Sequence, residues 1–443
     1  MSFSLEGREA IRFEADGFHH PAAASGSKRV FTRFAALTHV ATTPRALWIG
    51  AEDSVYVLPR GSFVASEDPE RMVQALLSRV TQLPEGAAQL ARMSEVEATA
   101  RLDEREIATW AFAALCVLVY VAQLFHTPWL ERVSYFNGAM AAQGDWWRYV
   151  TANVFHSYLV HLVLNVAGLV AVGSLVEHAL GTARTLFLMI VSGVAAMVVS
   201  GLATSVPVVG ASGVVSGLVG ALLWLELRMT DQLPAWWRVP RRVLFWVIGI
   251  SAVLSLLPAI AGAAHLGGFV GGIIAMRLVI DRGLGSRASE GWIRGAATAG
   301  VVLTAASMAT ATYHASSADS FLERYGGRVL MTYQLTPYDA NEWAWLIATT
   351  PDASAEMLEN GRQLAEQAVQ ATDRSEPAIL DTLAELHFQL GNAEAAQILI
   401  DEAIELEPTN TYYRGQRARF EAGNPEAPLP PANEADGILD LTV

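Results

Sequence analysis

The stretch 207-PVVGASGVVSGLVGALLWLEL-227 decides how this sequence folds, because an apolar run opens there on a glycine-flanked serine. Gly210 and Gly213 lie on either side of Ser212 and allow the chain to bend sharply before the run. A membrane helix needs about 20 mainly apolar residues, and polar groups in hydrocarbon usually face a cavity or one another. The stretch therefore predicts a membrane helix that starts at a polar site.

Composition agrees with a membrane protein built from two or three units. Of 443 residues, 52% are hydrophobic and 17% are charged, whereas soluble domains average about 25% charged residues. From Ser317 onward there are 22 acids against 7 arginines, which argues against nucleic acid as a partner. Cys116 is the single cysteine, no CxxC or CxxH spacing is present, and we expect neither a metal nor a cofactor.

Apolar segments recur from Ile107 onward and predict a mainly α, polytopic bundle of membrane helices. Six segments, and a seventh rich in Ala and Thr, occupy residues 107–126, 149–175, 182–204, 211–227, 243–260, 264–280 and 295–312. With a cytoplasmic amino terminus, nine arginines lie in cytoplasmic connections and two, Arg132 and Arg148, in the opposite loops. This distribution obeys the positive-inside rule. We expect an integral, multi-pass protein of a bacterial-type cytoplasmic membrane, with its amino terminus in the cytoplasm. If all seven segments cross the membrane, the acidic tail lies outside the cytoplasm. If only six cross, the tail lies in the cytoplasm.

Residues 1–100 predict a small cytosolic α+β domain. Two short strands around a turn are indicated by 45-RALWIGAEDSVYVLP-59. A helix then starts near Asp68, with apolar residues at helical spacing. Strands followed by one helix resemble bacterial pleckstrin-homology-like modules.

Residues 335–422 predict helical repeats, and residues 423–443 a disordered tail. The stretch 379-ILDTLAELHFQLGNAEAAQILIDEAIELEP-408 resembles a tetratricopeptide repeat. The matching positions are Ala384, His387, Gly391, Ala396, Ile400, Ala403 and Pro408. Ala368 precedes Ala403 by 35 residues, close to the period of about 34 of such arrays. The repeats would offer a groove for a protein or peptide partner, or form a plain helical bundle.

Three polar sites in separate spans predict one shared pocket. His161 and Asn165 are four residues apart and point the same way, Ser212 opens the fourth span, and His265 opens the sixth. A serine hydroxyl is a weak nucleophile until a base such as histidine takes its proton. Acyl transfer also needs donors for the developing oxyanion, which His161, Asn165 and the Ser212 N–H could supply. Any one histidine alone is as well explained as a packing residue.

Glycines predict that the fourth and sixth spans approach closely. Gly213, Gly217 and Gly220 line the fourth span, and Gly268 and Gly272 form a GxxxG pattern in the sixth. Small residues let membrane helices come together, which would bring Ser212 near His265, although plain helix packing needs the same pattern.

The motifs WWRYVTANVFHSYLVHLVLN, GASG and AHLGGFVGG, in this order on six spans, resemble the rhomboid family of intramembrane serine proteases. The resemblance implies a six-helix rhomboid core over 101–281. The apolar pattern that follows predicts a seventh transmembrane helix over 292–313. The resemblance also implies Ser212 as nucleophile and His265 as base, without an acidic third member. Ser216 departs from the family, which commonly has an aromatic residue there.

Further roles follow from the same resemblance. His161 and Asn165 match the oxyanion-stabilising pair, with the Ser212 N–H, and His156 matches the histidine that precedes them. Trp147 and Arg148 match the pair that closes the long first loop.

Three functions are open to such a chain. An active protease would cleave the transmembrane segments of single-pass proteins near the outer boundary of the lipid bilayer, where helix-breaking residues let the helix unwind. A catalytically silent, rhomboid-like adaptor or chaperone would only bind membrane helices. A transporter would require a hydropathy repeat between the two halves, which the sequence lacks.

Overall fold

The computed structural model describes most of the chain in two units, Met1–Ala311 and Thr312–Val443. The described residues are 2–22, 29–100, 106–125, 133, 135–136, 138–142, 144–204, 207–257, 260–280, 291–316, 336–350 and 353–431. The linker at 101–105, most of the predicted first loop at 126–134, and Arg282 and Arg287 lie outside these residues.

The amino-terminal part of the first unit has two antiparallel sheets and two helices. The sheets contain, in order, β1 Ser2–Leu5, β2 Arg8–Phe13, β3 Gly17–Pro21 and β4 Arg29–Arg33, and then β5 Leu37–Thr42, β6 Ala46–Ala51 and β7 Ser54–Pro59. The helices are α1 Asp68–Thr81 and α2 Gly86–Ala100. The predicted hairpin is β6–β7, with Ala51 paired to Ser54. Met72, Leu76 and Val80 of α1 are fully buried against the sheets, because their helical spacing puts them on one face.

The membrane part follows as a series of apolar helices. They are α3 Ile107–Phe125, α4 Gly138–Ala142, α5 Arg148–Thr151, α6 Leu159–Leu180, α7 Thr182–Ala203, α8 Ser212–Arg228, α9 Arg241–Leu254, α10 Gly262–Val279 and α11 Gly291–His314. Among the described residues, five helices are long and apolar enough to cross a membrane: α3, α6, α7, α10 and α11. The helices at the predicted fourth and fifth spans are shorter, with 17 residues in α8 and 14 in α9.

The second span begins at Leu159, ten residues later than its apolar pattern predicts. The intervening chain forms only the single turn of α5, and Tyr158 has an extended backbone. Buried polar groups are bound there, since Asn153 donates to the Tyr149 carbonyl and His156 bonds the carbonyl of Val154. These local bonds compete with a continuous helix.

A buried carboxylate fixes the start of α3 against the end of α6. Both oxygens of Glu177 accept hydrogen bonds from the N–H groups of Ala108 and Thr109, at 2.8 and 2.9 Å. The hydroxyls of Thr109 and Thr182 add two more. Glu177 thus satisfies donors that a helix leaves free in its first turn, and its charge suits that end of the helix.

The amino-terminal domain docks on the loop between α8 and α9 through Arg238. The Arg238 side chain is fully buried and donates to both oxygens of Glu226 on α8, at 3.1 Å each. It also donates to the Thr38 hydroxyl and the Ala51 carbonyl, at 3.1 and 2.6 Å. One guanidinium therefore joins both sides of the junction.

His39 adds a second contact between the domain and this loop. Its Nδ1 accepts the Ala235 N–H at 3.1 Å, and its Nε2 lies 3.1 Å from Glu97. Burial lowers the pKa of His39, which favours the neutral ring that this acceptor role requires. Trp236 packs edge-on against the same ring.

The second unit is a run of helices in which each packs on the next. They are α12 Pro337–Ala348, α13 Ala355–Ala371, α14 Pro377–Gln389, α15 Ala393–Leu406 and α16 Thr411–Ala422. Ala384, Ala396 and Ala403 are fully buried between them. Arg419 donates to the carbonyls of Pro425 and Ala427. The start of the predicted disordered tail is thus held against α16, while 432–443 lie outside the described residues. The repeat and its partner stay predictions.

Candidate active site

The bend before Ser212 is held by the segment that precedes α6. Gly210 has a φ of +117°, which side chains other than glycine rarely adopt, and its N–H donates to the Ala152 carbonyl at 2.7 Å. The Ala211 N–H points at His156 Nε2, 3.5 Å away. His156 Nδ1 lies 3.1 Å from the Val154 carbonyl, so Nδ1 carries the proton and Nε2 is free to accept. Ser212 then begins α8 and remains partly exposed.

His161 and Asn165 both face this bend, as their spacing of four predicts. A Cβ atom at Gly210 would lie 2.7 Å from His161 Nε2 and 3.3 Å from Asn165 Nδ2, so only glycine leaves room for both. Asn165 is 7% exposed, and its Nδ2 has no hydrogen-bond partner among the described residues. An unsatisfied buried donor beside Gly210, two residues before Ser212, is available to an incoming oxygen.

His265 stands in the first turn of α10 and is bound by a residue that the sequence did not indicate. Its Nδ1 lies 3.0 Å from the hydroxyl of Ser255, at the end of α9. No hydrogen bond joins His265 to Ser212 among the described residues. Ser255 carries no motif, and only the fold brings it back to His265, so no signal in the sequence identifies it.

Helices α8 and α10 touch backbone to backbone through the predicted glycines. A Cβ atom at Gly268 would fall on the carbonyl oxygen of Gly213, and one at Gly272 on that of Gly217. The carbonyl of Ala264, the residue before His265, lies 3.6 Å from the Cβ position of Gly213, the residue after Ser212. Ser212 and His265 are therefore each adjacent in sequence to a residue of the contact between α8 and α10.

Replacing Gly268 by alanine is expected to destabilise the helix pair by about 1–3 kcal/mol, because the new methyl group overlaps a backbone carbonyl that cannot move away. Unfolding of the purified protein in detergent measures the change. Gly249→Ala is the matched control, since a Cβ there meets nothing within 4 Å. Equal stability of the two variants would contradict the close contact.

The first loop is hydrogen-bonded to the segment that leads into the bend. Phe136 and Val208 exchange two backbone hydrogen bonds, at 2.8 and 2.9 Å. Arg148, 1% exposed, donates to Asp145 at 3.1 Å and to the Tyr135 carbonyl at 2.5 Å. Trp147 is 2% exposed beside it. Arg148 thus contacts the described end of the loop, and the loop-closing role of Trp147 and Arg148 stays a prediction.

The arrangement has the parts that acyl transfer needs. A hydroxyl stands at a helix start, where the unpaired N–H groups favour developing negative charge. An imidazole lies on the adjoining helix, and imidazole and amide donors face the bend. In the described residues, no group of His, Cys, Asp or Glu is arranged to hold a metal ion.

Comparison with known proteins points to one family. Residues 143–282 match the family profile described as Rhomboid domain. The chain is 28% identical over 181 residues to Rhomboid protease GluP of Bacillus subtilis (strain 168), covering 38% of this chain and 34% of GluP. It is 29% identical over 151 residues to RHOMBOID-like protein 6, mitochondrial, of Arabidopsis thaliana. This match covers 32% of this chain and 47% of the relative. The chain is 26% identical over 159 residues to Putative rhomboid protease YdcA of Bacillus subtilis (strain 168), covering 35% and 77%.

These likenesses support the rhomboid family for the membrane part of the chain. With the five long apolar helices, they also support an integral, multi-pass membrane protein. The chain spans less than half the length of the first two relatives.

Proposed function

We propose that this protein is an intramembrane serine endopeptidase that cleaves single-pass membrane proteins through a dyad of Ser212 and His265. The observation that carries the proposal is the bend at Gly210, which brings Ser212 to a helix start with His161 and Asn165 facing it. The relatives named as rhomboid proteases add to this support.

The chemistry follows from the residues around the bend. His265 takes the hydroxyl proton as Ser212 Oγ bonds to the substrate carbonyl carbon, whose oxygen becomes negatively charged. His161, Asn165 and the Ser212 N–H donate to that oxygen. His265 then gives its proton to the amine nitrogen as the peptide C–N bond breaks. In the second half of the reaction His265 takes a proton from water as the water oxygen bonds to the acyl carbon, and gives it to Ser212 Oγ as the acyl–serine bond breaks.

The position of the site along α8 supports cleavage near the outer boundary of the membrane. Ser212 is the first residue of this helix, and Glu226, which Arg238 ties to the amino-terminal domain, is near its other end. Fourteen residues of helix separate them by about 21 Å. If the amino-terminal domain is cytoplasmic, as the arginine distribution predicts, Ser212 lies toward the opposite side.

A second candidate is a silent adaptor that binds membrane helices without cutting them. Two observations favour it: Ser212 has no hydrogen bond to His265 among the described residues, and Ser216 stands where an aromatic residue is common.

Labelling with a fluorophosphonate probe separates the two functions. The wild-type protein in liposomes is expected to be labelled at Ser212 and to cleave a tagged single-pass reporter, because a base-activated serine attacks the probe phosphorus. His265→Ala is expected to lose both activities by at least about 100-fold. His178→Ala, which alters a histidine at the far end of α6, should retain them. A wild-type protein that binds the reporter but is neither labelled nor active would favour the adaptor.

A further inference from the structure

We infer that Ser255 is the positioning residue for His265, taking the orienting role that a carboxylate has in a serine-histidine-aspartate triad. This inference rests on the proposed function. In the described part of the chain, Ser255 is the one hydrogen-bond partner of the His265 ring, at 3.0 Å from Nδ1.

The backbone holds Ser255 against the start of α10. The Ser255 N–H donates to the Ser251 carbonyl at 2.9 Å and closes the last turn of α9. A Cβ atom at Gly262 would fall on the Ser255 carbonyl oxygen and lie 3.1 Å from the Ser255 Cβ. The absence of a side chain at Gly262 therefore lets α10 begin in contact with Ser255. The His265 N–H donates to the Ala261 carbonyl in the same turn, so the ring starts from a fixed backbone.

In the inferred arrangement the hydrogen bond to Nδ1 leaves Nε2 as the nitrogen that acts as the base. When Nδ1–H donates to the Ser255 hydroxyl oxygen, Nε2 carries the lone pair and is free to take the Ser212 proton. A ring that turned freely would offer this nitrogen in only part of its orientations. Ser255 thus fixes the direction of the ring, and the inferred base requires the tautomer in which Nδ1–H donates to this hydroxyl.

No other contact in the described residues does this for His265. Ser216, one turn after Ser212, has no aromatic ring that could stack on the His265 imidazole. Among the described residues, no other aromatic ring stacks on that imidazole. The three buried carboxylates described in the bundle are bound elsewhere: Glu177 caps α3, Asp145 pairs with Arg148, and Glu226 pairs with Arg238. The hydroxyl orients the imidazole but brings no negative charge to stabilise an imidazolium. Loss of the Ser255 hydroxyl should therefore lower kcat far less than loss of the aspartate lowers it in a triad.

Ser255→Ala tests the inference in the full-length protein reconstituted with the tagged single-pass reporter. We expect kcat to fall about 10-fold with KM unchanged, which corresponds to the loss of one neutral hydrogen bond. The fluorophosphonate labelling rate should fall in parallel. Ser255→Thr, which keeps the hydroxyl, should restore most of the activity. Ser251→Ala, one turn earlier on the same helix, is the matched control and should resemble the wild type.

A spectroscopic readout keeps this test independent of catalysis. Nitrogen NMR of histidine-labelled protein, with His265 identified by its loss in His265→Ala, should show the Nδ1-protonated tautomer in the wild type and a mixture in Ser255→Ala. Unchanged kcat and tautomer in Ser255→Ala would overturn the inference. So would equal losses in the Thr and Ala variants with lowered thermal midpoints, which indicate a packing role. A wild type that neither cleaves nor labels, yet keeps the Ser255-dependent tautomer, would refute the proposed function alone.

Discussion

Ser212→Ala is expected to abolish cleavage of a tagged single-pass reporter, lowering kcat/KM by about 10⁴-fold or more. The alanine methyl group cannot form the acyl bond on which the proposed mechanism depends. The measurement is the rate of appearance of the cut reporter in proteoliposomes. Thermal stability should change little, because the Ser212 hydroxyl is partly exposed and has no hydrogen bond among the described residues.

Ser216→Ala is the matched control for this experiment. It lies one turn further along the same helix and is buried to a similar degree, so it removes a hydroxyl from the same surroundings. Its activity should stay within about threefold of the wild type. Cleavage that persists in Ser212→Ala, or is lost equally in both variants, would eliminate Ser212 as the nucleophile.

Arg238→Ala is expected to destabilise the first unit by about 3–5 kcal/mol. The change leaves the carboxylate of Glu226, 1% exposed, without its partner inside the junction between α8 and the amino-terminal domain. It also removes the donors to the Thr38 hydroxyl and the Ala51 carbonyl. Unfolding in detergent, followed by helix content, measures the loss.

Two further variants show whether the buried charge is the cause. Arg242→Ala removes an exposed arginine four residues away and should change the free energy of unfolding by less than about 0.5 kcal/mol. Adding Glu226→Gln to Arg238→Ala removes the stranded charge and should recover part of the stability. An Arg238→Ala protein as stable as Arg242→Ala would show that the domain is not anchored there.

The sequence could predict those parts of the site that depend on local spacing. A spacing of four residues places His161 and Asn165 on one face of a helix, and the structure has both facing Gly210. Gly268 and Gly272 predicted a close helix contact, and each meets a glycine carbonyl of α8. The helix from Asp68 and the β6–β7 hairpin likewise follow from short-range periodicity and turn residues.

Contacts between single polar residues distant in sequence could not be predicted in this way. Arg238 meets Thr38 across 200 residues, and Glu177 meets Ala108 across 69. Ser255 and His265 are on different helices, and no periodicity relates them. The start of α6 at Leu159 could not be predicted for a related reason. The apolar pattern shows which residues prefer the membrane, but it does not show the local hydrogen bonds that Asn153 and His156 make before the helix.

The fastening of the first loop has a consequence for biosynthesis. Phe136 and Val208 pair only after two further crossing segments have been made, and the bend is complete only when Gly210 reaches the Ala152 carbonyl. His265, the proposed base, is synthesised later still, on α10. A nascent chain therefore lacks the assembled pair of Ser212 and His265 until α10 has been synthesised, so the proposed activity would begin only after the membrane part is nearly complete.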